Sequence, residues 1–315
     1  HMYCFNNENN IKMNDSMKGV FLMDYVIKSG ELTVGVTTKG GQFTSMKDQN
    51  GVEYVWQADP AYWANQTPLC FPIVGSLRNK TATIGNGKTA TMERHGVVRN
   101  MEFSPVEVSD TSVTLSVKAD DETLARYPYQ FEYRVTYSVS GKTLKVTFTA
   151  INHDSEPMPY TLGGHPAFNC PMGKDDAFED YVVEFEKPET ADCPTPIKET
   201  GLMDYNLRTR MLTNETTLPM RHELFKVDAV VFDRLVSRKA KLYNPKTGMG
   251  VEMDFHDFKY LLVWSAANNA PFVALEPWNG LTTCNDEDDV FEHKHDIVTL
   301  QPGESHSYSF TVTVL

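Results

Sequence analysis

The sequence predicts an all-β protein organised as one large antiparallel β assembly, and three observations support this. Short runs in which apolar and polar residues alternate recur along the chain, separated by turn residues. Convincing helical periodicity is scarce. The turn signals continue without a change of composition, so we expect a single domain over residues 21–315.

The first 20 residues differ from the rest because they are polar and rich in Asn. Residues 1–20 are therefore expected to form a flexible N-terminal extension that contributes nothing to a core. His1-Met2 at its start is typical of residues left by an expression vector. The β pattern begins only near Met23.

A hairpin between residues 131–139 and 144–150 is the clearest local prediction. Both runs alternate apolar and polar side chains. Gly141 lies between them and can adopt the positive φ of a tight turn at no steric cost. This pairing predicts two half-buried neighbouring strands.

Two further elements follow from local signals. Residues 307–315 alternate again after Pro302-Gly303, so the chain is expected to end in a strand. One short helix is predicted over residues 120–127, with Asp120 as its N-cap.

The balance of charges excludes several classes of partner. The chain has 29 basic and 42 acidic residues, and its formal charge of −13 repels a nucleic-acid backbone unless a basic stripe compensates. No such stripe is present, and no run of 18 apolar residues predicts a membrane span. We therefore expect neither nucleic acid nor a membrane as a partner. The acidic run 286–289 lacks the ligand spacing of an EF-hand and is expected to be a solvated loop.

The five cysteines are odd in number, widely spread and without C-x-x-C spacing. This pattern indicates neither a disulfide framework nor a zinc site, and it favours reduced thiols. No secretory signal is recognisable either, so a cytoplasmic location is expected.

Two segments approach known motifs but fail at a required position. Ala82 stands where a phosphate-binding loop ending in Gly87-Lys88-Thr89 needs Gly, so a hairpin turn at 85–87 is favoured. His222-Glu223 begins like a zinc motif, but Lys226 replaces the second histidine. The chain also lacks the G-x-S-x-G motif of serine hydrolases. No metal and no cofactor is predicted.

A histidine flanked by turn residues is the first candidate for chemistry. His165 follows Gly163-Gly164, which allow close backbone approach, and precedes Pro166, which stiffens the segment. Its imidazole is a titratable group beside the aromatic residue Phe168. Spacing alone leaves two interpretations open, a placed catalytic histidine and a buried structural one.

A carboxylate inside an apolar run is the second candidate. Glu276 ends the run 272–275 and is followed directly by Pro277-Trp278. Burying a carboxylate is costly unless the group is paired or its protonation is used. A catalytic role and a buried salt bridge each explain Glu276. Trp278 would offer the apolar face that a sugar site often needs.

Three more residues are candidates for contacts with a ligand. Arg78 has a fixed fork of donors that suits a hydroxyl or a ring oxygen, and His95 precedes Gly96 in a loop. Asp233 follows an apolar run, and a pair with Arg234 or Arg238 would also explain it. A surface or packing role remains open for each of them.

Four segments resemble, in the same order, those of the aldose 1-epimerase (galactose mutarotase-like) family. They are Arg78-Asn79, His95-Gly96, Gly163-Gly164-His165-Pro166-Ala167-Phe168-Asn169 and Glu276-Pro277-Trp278-Asn279-Gly280. The resemblance spans residues 23–315, and the third and fourth segments are its most specific parts. The arginine segment departs from the best-known galactose enzymes and is similar to a divergent bacterial branch.

This resemblance implies a large antiparallel β-sandwich of the galactose mutarotase type and a cofactor-free mutarotase of a hexose or hexose phosphate. It implies His165 as general acid on the ring oxygen and Glu276 as general base on the anomeric hydroxyl. Arg78, His95 and Asp233 would contact the sugar. A homodimer is compatible with the sequence, although no apolar stripe marks an interface.

Two other functions stay open at this stage. One is a noncatalytic sugar-binding or sensing protein on the same fold. The other is a glycoside hydrolase, in which Glu276 would work with Asp233 or Asp254, because hydrolysis normally needs two carboxyl groups.

Overall fold

The computed structural model describes residues 23–315, and the extension predicted over residues 1–20 lies outside them. Within residues 23–315 the chain forms 22 strands, one short α-helix and five 3₁₀ turns. The strands are β1 (Tyr25–Lys28), β2 (Leu32–Val36), β3 (Phe43–Asp48), β4 (Leu69–Cys70), β5 (Thr81–Ile84), β6 (Lys88–Thr91), β7 (Ser104–Val108), β8 (Ser112–Lys118), β9 (Phe131–Ser140), β10 (Thr143–Asn152), β11 (Met158–Tyr160), β12 (Gly163–Gly164), β13 (Ala167–Asn169), β14 (Val182–Ile197), β15 (Leu202–Pro219), β16 (Val230–Phe232), β17 (Lys239–Tyr243), β18 (Gly250–Asp254), β19 (Tyr260–Trp264), β20 (Phe272–Trp278), β21 (Val298–Leu300) and β22 (Ser305–Val314). Helix α1 spans Asp121–Arg126, and the 3₁₀ turns are Arg78–Lys80, Val98–Asn100, Phe178–Asp180, His222–Phe225 and Phe291–His293.

Two large sheets dominate the described part of the chain. The nine-stranded sheet has the order β15-β14-β17-β18-β22-β10-β9-β8-β7. The six-stranded sheet has the order β16-β19-β20-β12-β4, and β13 also pairs with β20. Strand neighbours in both sheets run antiparallel. The prediction of an antiparallel all-β protein is therefore confirmed.

The hairpin predicted around Gly141 joins β9 to β10. Ser140 pairs with Thr143, and Gly141 has a φ of 55°. Along both strands, buried and less buried residues alternate, because successive side chains point to opposite faces of the sheet. One face of the nine-stranded sheet thus supplies part of the core.

The two large sheets pack face to face. Phe148 on β10 and Phe310 on β22 belong to the nine-stranded sheet, and their ring centroids lie 5.8 Å apart. A Cβ atom on Gly164, in the six-stranded sheet, would lie 3.1 Å from Phe310 and 3.4 Å from Phe148. The glycine therefore lets β12 approach the opposite sheet closely, and aromatic side chains fill the interior of a β-sandwich.

The other local predictions also match the structure. The Asp120 carboxylate accepts a hydrogen bond from the Thr123 backbone N–H at 2.8 Å and caps α1. The segment 85–87 turns between β5 and β6, and the chain ends in β22 between β18 and β10. Within residues 23–315 no helix has the length and apolar character that crossing a membrane requires. Four cysteines in this part of the chain are buried free thiols: Cys70, Cys170, Cys193 and Cys284.

We predict that Gly163→Ala lowers the free energy of unfolding by about 1–3 kcal/mol, because the added methyl group overpacks the six-stranded sheet. A Cβ atom there would lie 2.4 Å from Cδ1 of Trp278 and 2.8 Å from the Pro277 carbonyl oxygen. Urea denaturation measures the change. Gly30→Ala is the matched control, since nothing lies within 4 Å of a Cβ atom at that position. Equal stability of the two variants would contradict this packing argument.

Candidate active site

The pairing of short strands with β20 brings His165 opposite Glu276. Strand β20 is buried along its whole length. Gly163 pairs with Trp278 before His165, and Ala167 pairs with Ala274 after it. The same register continued through the gap places His165 across from Glu276. Two residues separated by more than a hundred positions therefore meet through backbone pairing.

The side chains of His165 and Glu276 form a buried pair. Nε2 of His165 lies 3.2 Å from Oε1 of Glu276, and the side chains are 8% and 3% exposed. Nδ1 of His165 has no hydrogen-bond partner within residues 23–315, so the contact of Nε2 with Glu276 decides which ring nitrogen carries the proton. The pair can share and exchange a proton.

Three aromatic rings surround the imidazole of His165. The ring of Trp63 lies at a tilt with its centroid 5.2 Å away, and Trp264 meets the imidazole edge-on at 5.3 Å. His95 also meets it edge-on at 5.3 Å. These rings exclude water from the pair and offer apolar faces to a ligand.

A reciprocal pair of hydrogen bonds holds His95 in a rare conformation. Its φ is 68°, a left-handed value that non-glycine residues seldom adopt. The His95 backbone N–H donates to the Gly75 carbonyl at 2.7 Å, and the Gly75 N–H donates to Nδ1 of His95 at 3.0 Å. Because burial lowers the pKa of His95 well below 6.5, its ring is neutral. The proton of this neutral ring then lies on Nε2, which can act as a donor.

Burial disfavours charge on both members of the pair. It raises the pKa of Glu276 well above 4.5, and nearby Asp228 adds to this effect. Burial also lowers the pKa of His165 to about 3, and the cations Arg94 and Arg99 contribute to that shift. The unliganded site therefore keeps a protonated carboxyl beside a neutral imidazole. The general-acid role that the family resemblance implies for His165 therefore requires a proton that burial disfavours in this state.

The pair opens on a cavity of about 510 Å³, which is within the usual range for small-molecule sites. His95, Trp63, Trp264 and Trp278 line it together with His165 and Glu276. Its other charged residues are Arg94, Arg99, Lys198 and Asp228. A larger concavity of about 810 Å³ lies beside β7 and β8 and contains neither member of the pair.

Trp278 is one of the predicted ligand contacts that the structure brings to the cavity. Its Nε1–H donates to the Gly164 carbonyl at 3.2 Å, which fixes the plane of the indole. The rings of Trp278 and His95 meet edge-on, with 5.7 Å between their centroids. His95 and Trp278 thus lie together next to the pair.

Arg78 does not line the cavity. Its Nε lies 3.0 Å from both carboxylate oxygens of Asp289, and its Nη2 donates to the carbonyls of Cys284, Asn285 and Glu287. The guanidinium therefore holds the acidic segment 284–289 against the domain. These contacts give Arg78 a structural role in place of the predicted sugar contact, and they bind the acidic run through the Asp289 carboxylate and through backbone carbonyls.

Asp233 also lies outside the cavity lining. Its carboxylate forms a bidentate pair with Arg208, at 3.0 and 2.8 Å. The side chain is only 3% exposed, and this pairing compensates the cost of burying it. The predicted contact with sugar hydroxyls would require Asp233 to leave Arg208. Of the two partners that the sequence suggests, Arg234 is more distant, at 3.7 Å, and Arg238 donates to the carbonyls of Leu235 and Phe258.

One cluster has the residue types of a metal site. Ligand atoms of Cys284, Asp286 and His295 lie within 4.8 Å of one another. Burial raises the pKa of the Cys284 thiol to about 12, and Glu287 adds to this shift, which disfavours the thiolate in the metal-free protein. None of the three residues lines the cavity.

Sequence reasoning missed the aromatic residues Trp63 and Trp264 as well as Asp228 and Lys198. The rarity of tryptophan was a usable signal, because three of the four tryptophans of the chain line the cavity. Arg78, Lys80, Arg94 and Arg99 cluster within 22 positions of the sequence, and nothing in the sequence tells which of them reaches the cavity. No local signal marks Asp228 or Lys198.

We predict that Arg78→Gln lowers the free energy of unfolding by about 1–2 kcal/mol, because it removes charge-assisted hydrogen bonds that solvent partly screens. A structural role leaves KM for a sugar substrate nearly unchanged, and a sugar-contacting role raises it. Urea denaturation and steady-state kinetics separate the two. Arg210→Gln is the matched control, because Arg210 forms a similar pair with Asp192 on the exposed surface. A rise in KM without a loss of stability would overturn the structural assignment.

We predict a pH-dependent difference in stability between the wild type and Glu276→Gln. In the unfolded chain Glu276 ionises above about pH 4.5, whereas the folded protein keeps it protonated to a higher pH. The wild type should therefore lose free energy of unfolding relative to the variant as the pH rises from about 6.5 to 8. Restricting the urea titrations to this window avoids the opposite contribution of His165, which acts between about pH 6.5 and 3. If the difference in free energy of unfolding between the two proteins does not change with pH in this window, Glu276 is already ionised in the folded protein.

Comparison with known proteins identifies close relatives in sequence and fold. The chain is 44% identical over 298 residues to the plasmid-encoded protein LacX of Lactococcus lactis subsp. lactis, covering 93% of this chain and all of that protein. A galactose mutarotase related enzyme from Lactobacillus acidophilus superposes with a TM-score of 0.87 at 31% identity, over 93% of this chain and 97% of that one. A galactose mutarotase-like protein from Lactobacillus casei gives 0.85 at 29% identity, over 92% and 99%. The implied galactose mutarotase type of β-sandwich is thereby confirmed.

The family model described as aldose 1-epimerase matches residues 23–313, nearly the whole of the part that the structure describes. The chain belongs to the aldose 1-epimerase family.

Proposed function

We propose that this protein is an aldose 1-epimerase that interconverts the α and β anomers of an aldose through His165 and Glu276. The observation that carries this proposal is the 3.2 Å contact between the two side chains, buried at a cavity lined by tryptophans. An acid and a base at this distance can act on two neighbouring oxygens of one sugar.

The reaction needs one proton to leave and one to arrive. A base takes the proton of the C1 hydroxyl while an acid protonates the ring oxygen, so the C1–ring oxygen bond breaks and the open-chain aldehyde forms. Rotation about the C1–C2 bond and reversal of the two transfers close the ring as the other anomer. The two protein groups end in the protonation states in which they began. A positioned acid and a positioned base each contribute about 10²- to 10⁴-fold to such a reaction.

The family resemblance favours His165 as the acid and Glu276 as the base. The unliganded pair holds one shared proton on Glu276, because burial disfavours charge on both groups. Sugar hydroxyls that donate to the Glu276 carboxylate stabilise its ionised form, and the shared proton then crosses to His165. Substrate binding in this way prepares the pair for ring opening.

The walls of the cavity suit a sugar. The rings of Trp63, Trp264 and Trp278 provide apolar surfaces for the C–H faces of a pyranose. His95 can donate from Nε2, as a sugar oxygen requires. The roles of the tryptophans are therefore positioning and exclusion of water.

The carboxyl groups of the cavity do not favour a glycoside hydrolase. Asp233 is held by Arg208 and Asp254 contacts His256, and neither lines the cavity. Asp228 does line it but lies 3.3 Å from Nη2 of Arg94. Hydrolysis normally needs a second free carboxyl group across the scissile bond.

We predict that Glu276→Gln and His165→Asn each lower the catalysed rate of anomer interconversion by about 10²- to 10⁴-fold, since each variant removes one partner of the proton transfer. Polarimetry of freshly dissolved glucose and galactose, with the spontaneous rate subtracted, measures this rate. The same assay on glucose 6-phosphate follows.

The matched control is His256→Asn, which removes an exposed histidine that does not line the cavity. It should retain the wild-type rate. Circular dichroism and thermal denaturation establish that each variant is folded. A folded Glu276→Gln protein with wild-type activity would refute the assignment, and a wild type inactive on every aldose tested would favour the noncatalytic sugar-binding alternative.

A further inference from the structure

A threonine in the wall of the cavity joins three separate segments of the chain. Thr282 lies shortly after the end of β20, lines the cavity and is only 5% exposed. Its hydroxyl accepts a hydrogen bond from the Ser76 backbone N–H at 2.8 Å and donates one to the Gly201 carbonyl at 2.7 Å. One oxygen atom thus connects the segment after β20 to the loop that contains Ser76 and to the tip of the hairpin formed by β14 and β15.

The loop that Thr282 holds is the one that places His95. Gly75 precedes Ser76 and forms the reciprocal pair of hydrogen bonds with His95. Both members of this pair have a left-handed backbone, with φ values of 66° for Gly75 and 68° for His95. A non-glycine residue keeps such a conformation only where the surrounding contacts hold it. Whatever fixes the backbone of Gly75 and Ser76 therefore also fixes the imidazole of His95.

The segment after β20 fixes this backbone through packing as well as through hydrogen bonds. A Cβ atom on Gly75 would lie 2.3 Å from Cβ of Thr282 and 2.4 Å from its Oγ1, so the two residues are in close contact. The Thr283 N–H donates to the Ser76 carbonyl at 3.0 Å, and Oγ1 of Thr282 lies 3.3 Å from the same carbonyl oxygen. Both backbone polar groups of Ser76 are thereby bound by one segment.

The hydroxyl of Thr282 is engaged by the protein, although the residue lines the cavity. A threonine hydroxyl carries one proton, and the Gly201 carbonyl is its nearest acceptor. The oxygen already accepts the Ser76 N–H. A bound sugar would therefore find no donor in this hydroxyl, and Thr282 can act on a sugar only through the neighbours that it holds. Among them, His95 offers Nε2 as a donor.

We propose that Thr282 is a positioning residue for His95: its hydroxyl fixes the backbone of Gly75 and Ser76, which sets the orientation and the tautomer of the His95 imidazole. This inference rests on the proposed epimerase function. In the tautomer set by the Gly75 N–H, Nδ1 of His95 is the acceptor and Nε2 carries the proton. Without the hydroxyl the Ser76 N–H loses its acceptor, so the loop can move and the second tautomer becomes accessible.

The orientation of His95 matters for the proposed reaction because His95 lies next to the proton-transferring pair. The ring centroids of His95 and His165 are 5.3 Å apart. A sugar oxygen that accepts from Nε2 of His95 is thus close to the oxygens on which His165 and Glu276 act. Loss of this contact misplaces the sugar relative to the pair, and a small misplacement slows a reaction that depends on alignment. We therefore expect Thr282 to affect kcat as well as KM.

The test compares Thr282→Val, which replaces the hydroxyl by a methyl group, with Thr282→Ser, which retains the hydroxyl. Thr282→Val should lower kcat/KM for galactose and glucose by about 10-fold, the effect of one lost hydrogen bond, and Thr282→Ser should stay near the wild-type value. Polarimetry with the spontaneous rate subtracted measures both. A loss of activity in Thr282→Ser equal to that in Thr282→Val would overturn the inference.

Thr123→Val is the matched control. The Thr123 hydroxyl also accepts from a backbone N–H and donates to a carbonyl, both of Asp120, at 2.9 and 3.1 Å. Thr123 is buried but does not line the cavity that contains His165 and Glu276. This variant should lose stability in urea denaturation without losing kcat/KM.

A double-mutant cycle shows whether Thr282 acts through His95. His95→Gly removes the imidazole, and glycine tolerates the left-handed backbone at this position. If the effect of Thr282 passes through the imidazole, Thr282→Val lowers kcat/KM in the wild-type background but has no further effect in His95→Gly. The same loss in both backgrounds would show that Thr282 acts independently of His95 and would overturn the inference.

Nitrogen NMR of protein labelled in histidine keeps the test independent of the proposed function. His95→Gly assigns the His95 signals, which in the wild type should show one protonated and one unprotonated ring nitrogen. In Thr282→Val the two chemical shifts should approach each other as the tautomers exchange, whereas Thr282→Ser and Thr123→Val should keep the wild-type shifts.

The spectra decide the inference even if the wild type turns over neither sugar, in which case the epimerase proposal fails by itself. Identical His95 signals in the wild type and in Thr282→Val would refute the positioning role. Mixed tautomers of His95 in the wild type would refute it without any variant, so the test does not depend on the folding of Thr282→Val.

Discussion

The antiparallel register between β20 and the short strands β12 and β13 is the constraint on which the candidate site depends. It sets His165 opposite Glu276, and backbone hydrogen bonds maintain it within a fully buried region. Gly163 permits the close approach that this register needs, since no side chain fits beside Trp278 there. The geometry of the pair is thus set by the sheet and not by a flexible loop, which gives it the precision that the proposed proton transfer requires.

Burial determines which protonation states His165 and Glu276 prefer, and it lowers the free energy of unfolding. Burial favours the neutral forms of this imidazole and this carboxyl group, and therefore disfavours full charge separation between them. Small changes in the surroundings can then move the proton of the carboxyl group. The two reciprocal hydrogen bonds between His95 and Gly75 have two effects. They stabilise a strained backbone conformation, and they leave Nε2 of His95 as the donor nitrogen.

Features that depend on local sequence were predictable, and features that depend on distant contacts were not. Asp120 and Gly141 act within a few residues of themselves, so their cap and turn could be inferred directly. The motifs around His165 and Glu276 marked both residues, although only the strand register explains their meeting. Arg78 shows that local sequence does not predict contacts between distant residues. Its partner Asp289 is 211 positions away, and no local pattern tells which arginine faces the cavity. Trp63, Asp228 and Lys198 reach the cavity from unrelated segments for the same reason.

The long hairpin of β14 and β15 reaches the cavity from a different sheet than the one that contains Glu276. Its tip contributes Lys198 to the cavity, whereas Glu276 belongs to β20, the central strand of the other sheet, and His165 lies between β12 and β13. Residues at the tip can therefore change without disturbing the alignment of His165 with Glu276. The hairpin tip and the strands that align His165 with Glu276 are thus separate structural units that meet at one cavity.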